Sequence, residues 1–224
     1  DKAVVRLKQN LGKEYGMFID GKDVFAEDKY EDRSPVNTDW VLAVMQKGNA
    51  AQANMAIEAA PKAFPDWSRT PWKKRVQLVR KAASIIEKRI FELGAAMALE
   101  VGKNRMESLG DVQETADLMY WSAQMVEEND GFIKPMGNDP LIGFQSTNVS
   151  VLRPYGVWLI VSPFNFPFAL SGRPTRAALV AGNTVVIKPA TDTSWIVRLY
   201  AECLRDAGFP DGVVNFVTGP GSTM

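Results

Sequence analysis

Apolar and polar positions alternate with three different rhythms along the chain. In roughly the first 45 residues the apolar positions form short, strand-like runs. Tyr15 to Val24 is two apolar pieces around Asp20-Gly21, a pair that favours the tight turn of a β-hairpin. Trp40 to Met45 is a further short apolar run. From Asn49 to about Asn129 the rhythm is helical. Ala50–Ala63 is alanine-rich, and Pro61 is expected to end or kink that helix. Thr70-Pro71 reads as an N-cap followed by proline at the first helical position. Beyond it Trp72, Val76, Val79, Ala83, Ile86 and Ile90 recur every three or four residues, one apolar stripe of an amphipathic helix. The intervening charges, Lys73 to Arg75, Arg80, Lys81 and Lys88, fit a solvated face. Ser108–Asn129 is a further helix, closed by Asp130-Gly131.

Residues 132–150 are rich in turn formers, and runs near Leu141–Gln145 and Asn148–Arg153 suggest a protruding hairpin. After Gly156 the rhythm changes again. Val157–Val161 is an apolar strand, Phe166–Ala181 a helix closed by Gly182-Asn183, and Thr184–Lys188 a second strand. Ser194–Ala207 is a helix closed by Gly208, and Val213–Val217 a third strand. Strand, helix, strand, helix, strand with short links implies right-handed crossovers and a parallel sheet. The expected organisation is therefore α/β. A layer of strands and helices (1–131) leads through a hairpin arm (132–153) to a βαβαβ unit (154–224).

Composition narrows the chemistry. The 224 residues are 46% hydrophobic and 23% charged, with 26 basic against 26 acidic side chains. That is enough apolar material for a sizeable core. The balanced charge argues against nucleic-acid binding or a membrane-surface role. No run approaches the ~20 apolar residues of a membrane-spanning helix. With no histidine, a Ser-His-Asp triad or an HExxH zinc site within this chain is excluded. Cys203 is the single cysteine, which excludes an internal disulfide and suits a reducing compartment such as the cytoplasm. The start at Asp1 without an apolar leader, and the glycine-rich turn before Met224, suggest a piece of a longer chain.

Ligands of open parallel sheets bind beyond the carboxyl ends of the strands. At those ends stand Ser162-Pro163-Phe164-Asn165-Phe166-Pro167, then Lys188-Pro189-Ala190-Thr191, then Thr218-Gly219-Pro220-Gly221-Ser222. An amide, an ammonium and a glycine pair thus converge on one edge, as a nucleotide site requires. Each also has an ordinary structural reading: Asn165 as a helix cap, Lys188 as a surface lysine, Gly219 and Gly221 as turn glycines.

Taken together these segments are more specific. Ser162–Pro167, Ala181–Pro189 and the run Ala207-Gly208-Phe209-Pro210-Asp211-Gly212-Val213-Val214-Asn215 resemble, in order and spacing, the aldehyde dehydrogenase superfamily. Weaker similarity extends to Ser34–Thr38, Ala56–Trp67 and Glu100-Val101-Gly102-Lys103. The resemblance implies a Rossmann-like nucleotide-binding fold, NAD or NADP as cofactor, and oxidation of a small-molecule aldehyde to an acid through a cysteine thioester. It implies that the asparagine at 165 donates its side-chain N–H to the developing oxyanion. The backbone of Val161, Ser162, Pro163 and Phe164 would line the cofactor, Phe164 replacing the tryptophan commonest there. Lys188 would bind the adenosine ribose, and Gly219 and Gly221 would lie beside the adenine. NAD-preferring members often carry glutamate where Thr191 stands, so its absence favours tolerance of NADP, with Asp192 adjacent as a partial substitute.

Arg173 lies eight residues after Asn165, about 80° from two full helical turns, near the same face. In members acting on succinate semialdehyde an arginine here takes the carboxylate. The segment around Phe164 also resembles pyrroline-5-carboxylate dehydrogenases, so an acidic semialdehyde is expected; a solvent-facing arginine is the simpler alternative. The resemblance also implies a homodimer or homotetramer, with the arm as an oligomerisation element. The family's nucleophile and base match nothing in this chain, which is thus expected to lack the catalytic domain and to be inactive alone. Cys203 shares a helical stripe with Ile196, Leu199, Tyr200 and Ala207, as a buried structural thiol would. The competing expectation is a non-enzymatic module that binds a nucleotide or a partner chain.

Overall fold

The computed structural model describes residues 2–224. The chain opens with helix α1 (Lys2–Lys8), in a region whose sequence suggests only strands. Strands β1 (Lys13–Tyr15), β2 (Met17–Ile19), β3 (Lys22–Val24), β4 (Lys29–Arg33) and β5 (Val41–Gln46) follow. Next come four helices, α2 (Ala50–Arg69), α3 (Trp72–Lys88), α4 (Ile90–Val101) and α5 (Arg105–Glu128). The arm is the pair β6 (Ile133–Pro135) and β7 (Val149–Val151). The last part is β8 (Val157–Val161), α6 (Pro167–Ala181), β9 (Thr184–Lys188), a 3-10 turn (Thr191–Thr193), α7 (Ser194–Ala207) and β10 (Val214–Phe216).

The main sheet runs β3-β2-β10-β9-β8. Its β8, β9 and β10 are parallel, as the alternation of elements requires. The hairpin also forms: Asp20 (φ 50°) and Gly21 (φ 77°) are both left-handed, the geometry of a type I′ turn. Its strand β2 pairs antiparallel with β10 through Phe216 and Phe18. Nothing in the local pattern specifies that partner. A second sheet, β1-β5-β4, packs beside it.

Four local expectations need correction. Helix α2 runs through both Pro61 and Pro65. Both prolines are exposed, so the carbonyls they leave unpaired can reach water, and buried Trp67 anchors the far end by donating Nε1–H to Asn183 O at 3.1 Å. Thr70 does not cap α3. It closes α2, its hydroxyl donating to Asp66 O at 3.0 Å, while Pro71 holds the N-cap position of α3. The apolar stripe is interrupted at Arg89 (φ −99°, ψ 9°), where α3 gives way to α4. In the arm, Asn148–Arg153 does contain a strand, but it pairs with Ile133–Pro135 rather than Leu141–Gln145.

One large core joins the helical layer to the sheet. Val76, Val79, Ala83 and Ile86 of the α3 stripe are buried there with Met97, Met119, Leu179 and Ile187. Phe168 of α6 meets Tyr200 of α7 edge to face, centroids 5.2 Å apart. Complete burial of a ring such as Phe168 contributes about 1.5–3 kcal/mol. Cys203 is buried in the same core and burial pushes its thiol up to about 12. Among the described residues, no helix is long and apolar enough to cross a membrane.

Candidate functional site at the carboxyl edge of the sheet

Register brings the strand ends level. Val161 of β8 stands opposite Lys188 of β9, and Val217 N–H reaches Ile187 O at 2.9 Å just beyond β10. Beyond β8 the chain turns sharply. Ser162 is buried: its N–H donates to Lys188 O at 3.2 Å, and Ser171 donates its hydroxyl to Ser162 Oγ at 2.7 Å. The Ser162 side chain is therefore committed to α6 and its N–H to β9, and only its backbone carbonyl is left to face a ligand. Val161 (65% exposed), Pro163 and Phe164 (62%) form an open apolar ridge beside it.

Asn165 is exposed and its side chain makes no hydrogen bond to any described residue. It does not cap α6. The N-cap position belongs to Phe166, with Pro167 following, and no local side chain bonds the first turn. The cap comes from another helix. Asp111 of α5 accepts the Ala169 N–H at 2.7 Å, and its second oxygen pairs with Lys103 Nζ at 2.9 Å. Burial pushes the Asp111 carboxyl up, against the opposing pull of Lys103 and of the Ala169 N–H. The same Nζ lies 3.4 Å from the ring centroid of Phe166.

Lys188 is half-buried, and its Nζ donates to Pro189 O at 3.2 Å. Burial lowers its pKa. One neighbouring carbonyl leaves further N–H donors of the ammonium for a polar ligand such as a ribose. Thr191 opens the turn into α7, with Asp192 exposed beside it. Gly219 (φ 154°) packs on another loop, where an added Cβ would stand 2.5 Å from Gly48 O. That close approach is reason enough for glycine at 219. Gly221 is exposed and open on all sides.

On α6, Arg173 is exposed and forms no ion pair among the described residues. Three residues on, Arg176 is 5% exposed. It donates to Ser122 Oγ, lies 5.8 Å from the Trp121 ring, and leaves Nε without a partner. Burial holds its pKa below the usual arginine value. No carboxylate compensates it among the described residues.

A cleft of about 400 Å³ opens beside this edge between Tyr30, Arg33, Phe164 and Thr191. At its floor Glu100 accepts the Trp195 and Ile196 N–H groups of α7 at 2.7 and 2.9 Å. Asp32 lies against it and is pushed up to about 6, chiefly by burial. Glu100, buried and facing Asp32, is held well above the usual carboxylate range, chiefly by burial and by the Asp32 charge. No role for this carboxyl pair, for Asp111 or for Arg176 is legible in the sequence pattern. Glu100 stands in the Glu100–Lys103 run that resembles the family, and the others are charged residues inside an otherwise regular helix or strand.

The profile of the aldehyde dehydrogenase family matches residues 23–224. The chain belongs to the aldehyde dehydrogenase family. Among curated members of the family, 1-pyrroline-5-carboxylate dehydrogenase of Geobacillus thermodenitrificans is 38% identical over 223 residues, 99% of this chain and 42% of that enzyme. The family member 1-pyrroline-5-carboxylate dehydrogenase from Thermus, solved with bound NAD, superposes with a TM-score of 0.91 at 32% identity, covering 99% of this chain and 42% of that one. Proline utilization A from Bdellovibrio bacteriovorus gives 0.92 at 32% identity, with 99% and 23% covered. The chain thus spans less than half the length of the aldehyde dehydrogenases it matches.

Proposed function

We propose that residues 1–224 form the cofactor-binding part of an NAD(P)-dependent aldehyde dehydrogenase and contribute Asn165 as the oxyanion donor. The observation that carries this is the contrast around Asn165. Its neighbours on both sides are tied down, while its amide stands uncommitted at the carboxyl edge of the parallel strands. A donor held ready where charge develops is what acyl chemistry needs. The open ridge of Val161, Pro163 and Phe164, the unbonded Ser162 carbonyl, the spare donors of Lys188 and the Thr191 turn fit a dinucleotide along the same edge. Bound there, the cofactor would supply the hydride acceptor for the oxidation.

Cys203 is the only cysteine of the chain, and burial holds its thiol protonated at neutral pH. The thiolate that attacks the aldehyde therefore comes from outside residues 1–224, and these residues alone have no aldehyde oxidation activity. The substrate is an acidic semialdehyde. Exposed Arg173 puts an unpaired guanidinium on the helix that Asn165 precedes, and a carboxylate would neutralise it. The β6–β7 arm carries exposed Leu141, Ile142, Phe144 and Leu152. A two-stranded ribbon is marginal in water, so the arm packs on another subunit in a dimer or tetramer.

The test is Asn165→Ala in the full-length enzyme, under conditions where acylation or hydride transfer limits the rate. Turnover should fall about 10²–10³-fold with cofactor affinity nearly unchanged. Wild-type turnover in that variant would overturn the assignment.

A further inference from the structure

Asn165 sits on an exposed turn, yet an oxyanion donor works only if it is already in place when charge develops. Something other than its own side chain must hold it. Upstream, the Ser162 bonds to Lys188 and Ser171 fix the end of β8. Downstream, one buried charge pair does the holding. Asp111, wholly buried, grips the third residue of α6 through the Ala169 N–H at 2.7 Å. Lys103, paired with it at 2.9 Å, lies over the Phe166 ring. The pair therefore clamps both the residue next to Asn165 and the first turn of the helix that follows.

A surface ion pair would contribute little here. This pair is desolvated, which strengthens both the charge-assisted N–H···O bond and the cation–π contact. It also gives α6 the cap that its own sequence withholds. An ordinary cap could come from residue 165 or 166 at no expense. Capping from α5 instead leaves the Asn165 amide unspent.

We propose that Lys103 and Asp111 are positioning residues for Asn165: their pair fixes the Phe166–Ala169 turn so that the Asn165 amide is preset at the carboxyl edge. This rests on the reading of Asn165 as the oxyanion donor.

The test is a double-mutant cycle in the full-length enzyme, with 1-pyrroline-5-carboxylate as substrate and NAD as cofactor. Asp111→Asn keeps an acceptor for the Ala169 N–H but drops the charge that holds Lys103. Lys103→Met removes the cation and keeps most of the volume; Lys103→Arg keeps the cation. We expect Asp111→Asn and Lys103→Met to lower kcat about tenfold, with the NAD dissociation constant within about twofold of wild type. Lys103→Arg should recover most of the loss. In an Asn165→Ala background neither change should lower kcat further, because the group being positioned is gone. Amide exchange at Ala169, whose N–H is bonded to Asp111, should be about tenfold faster in Lys103→Met and not in Lys103→Arg, read independently of activity.

Multiplicative losses in the Asn165→Ala background, or unchanged exchange at Ala169, overturn the positioning role and leave the donor assignment intact. Wild-type kcat in Asn165→Ala alone overturns the donor assignment itself. Should Asp111→Asn fail to fold, the Lys103 variants complete the same cycle, since Lys103 is closer to the surface than Asp111.

Discussion

Replacing Asn183 by alanine should destabilise the protein by about 2–3 kcal/mol, almost entirely through two backbone amides. Asn183 follows the left-handed cap of α6 and is buried. Its Oδ1 accepts from Tyr155 N at 2.6 Å and from Gly156 N at 2.9 Å, the two residues that lead into β8. Its Nδ2 donates weakly to Ala178 O at 3.3 Å, an oxygen already bonded by the Asn183 N–H at 2.9 Å. Alanine keeps every backbone bond, including the acceptor used by Trp67, so the helix closure survives. What is lost is the shared acceptor. Each net bond contributes about 1 kcal/mol, and a donor left unsatisfied costs about 1–3 kcal/mol. Tyr155 is 93% exposed, so its N–H can find water, and the lower end of that range applies there. Gly156 is less open and supplies the rest. For a chain of this length the loss corresponds to a fall in Tm of roughly 5–10 °C. Urea unfolding followed by tryptophan fluorescence measures the change, since Trp67 is buried against Phe209. Amide exchange should locate it at residues 155 and 156. A change below about 1 kcal/mol, or protection lost elsewhere but not at those two amides, would refute the reasoning.

Two further outcomes are expected. The Asp32–Glu100 pair is raised in the folded state, so the native protein holds protons that the unfolded chain releases. Its contribution to stability is complete below about pH 4 and is lost progressively as pH rises through the Asp32 value of about 6 and on through the still protonated Glu100. Glu100→Gln should flatten that slope in urea titrations between these limits; coincident slopes for the two proteins would remove the pair as its source. Thr191 offers no carboxylate to a ribose 2′-phosphate, so discrimination between NAD and NADP should be on the order of 1–2 kcal/mol, and Thr191→Glu should shift preference toward NAD. The ratio of kcat/KM for the two cofactors decides this, and a wild-type preference for NAD above about 10³-fold would point to Asp192 instead.

The elements that were legible in the sequence are those whose signal is local. The β8-α6-β9-α7-β10 alternation needs only periodicity and glycine caps, and every member appears within a residue or so of its expected span. The turn at Asp20-Gly21 needs only two residues able to adopt positive φ. What was illegible depends on partners far away in the chain. Pro61 and Pro65 look like helix breakers, but the burial of Trp67 against Asn183, 116 residues later, carries the helix past them. Thr70 has the side chain of an N-cap, and only the three-dimensional course of the chain assigns it to the preceding helix. Around the candidate site the same division holds. Asn165, Lys188 and Thr191 stand at strand ends that the alternation locates. The groups that brace them, Asp111, Lys103 and Glu100, arrive from the helical layer, and no periodicity says which helix will lie across the first turn of α6 or α7.

The hairpin beside β10 sets an order for assembly. Strand β2 pairs with residues nearly two hundred positions later, and the Asp20 N–H bonds Asn215 Oδ1 across 195 residues. Arg198 likewise reaches Gly16 O across 182. A ribosome making this chain releases β2 and β3 long before β10 exists. Closing so large a loop carries an entropic penalty that only contacts present at the end can offset. The helices of α3 to α5 can collapse on one another early, because their contacts are local. By the same rule β8, β9 and β10 pair over short separations, so the β2–β10 pairing, which must wait for the far end of the chain, is expected to form last.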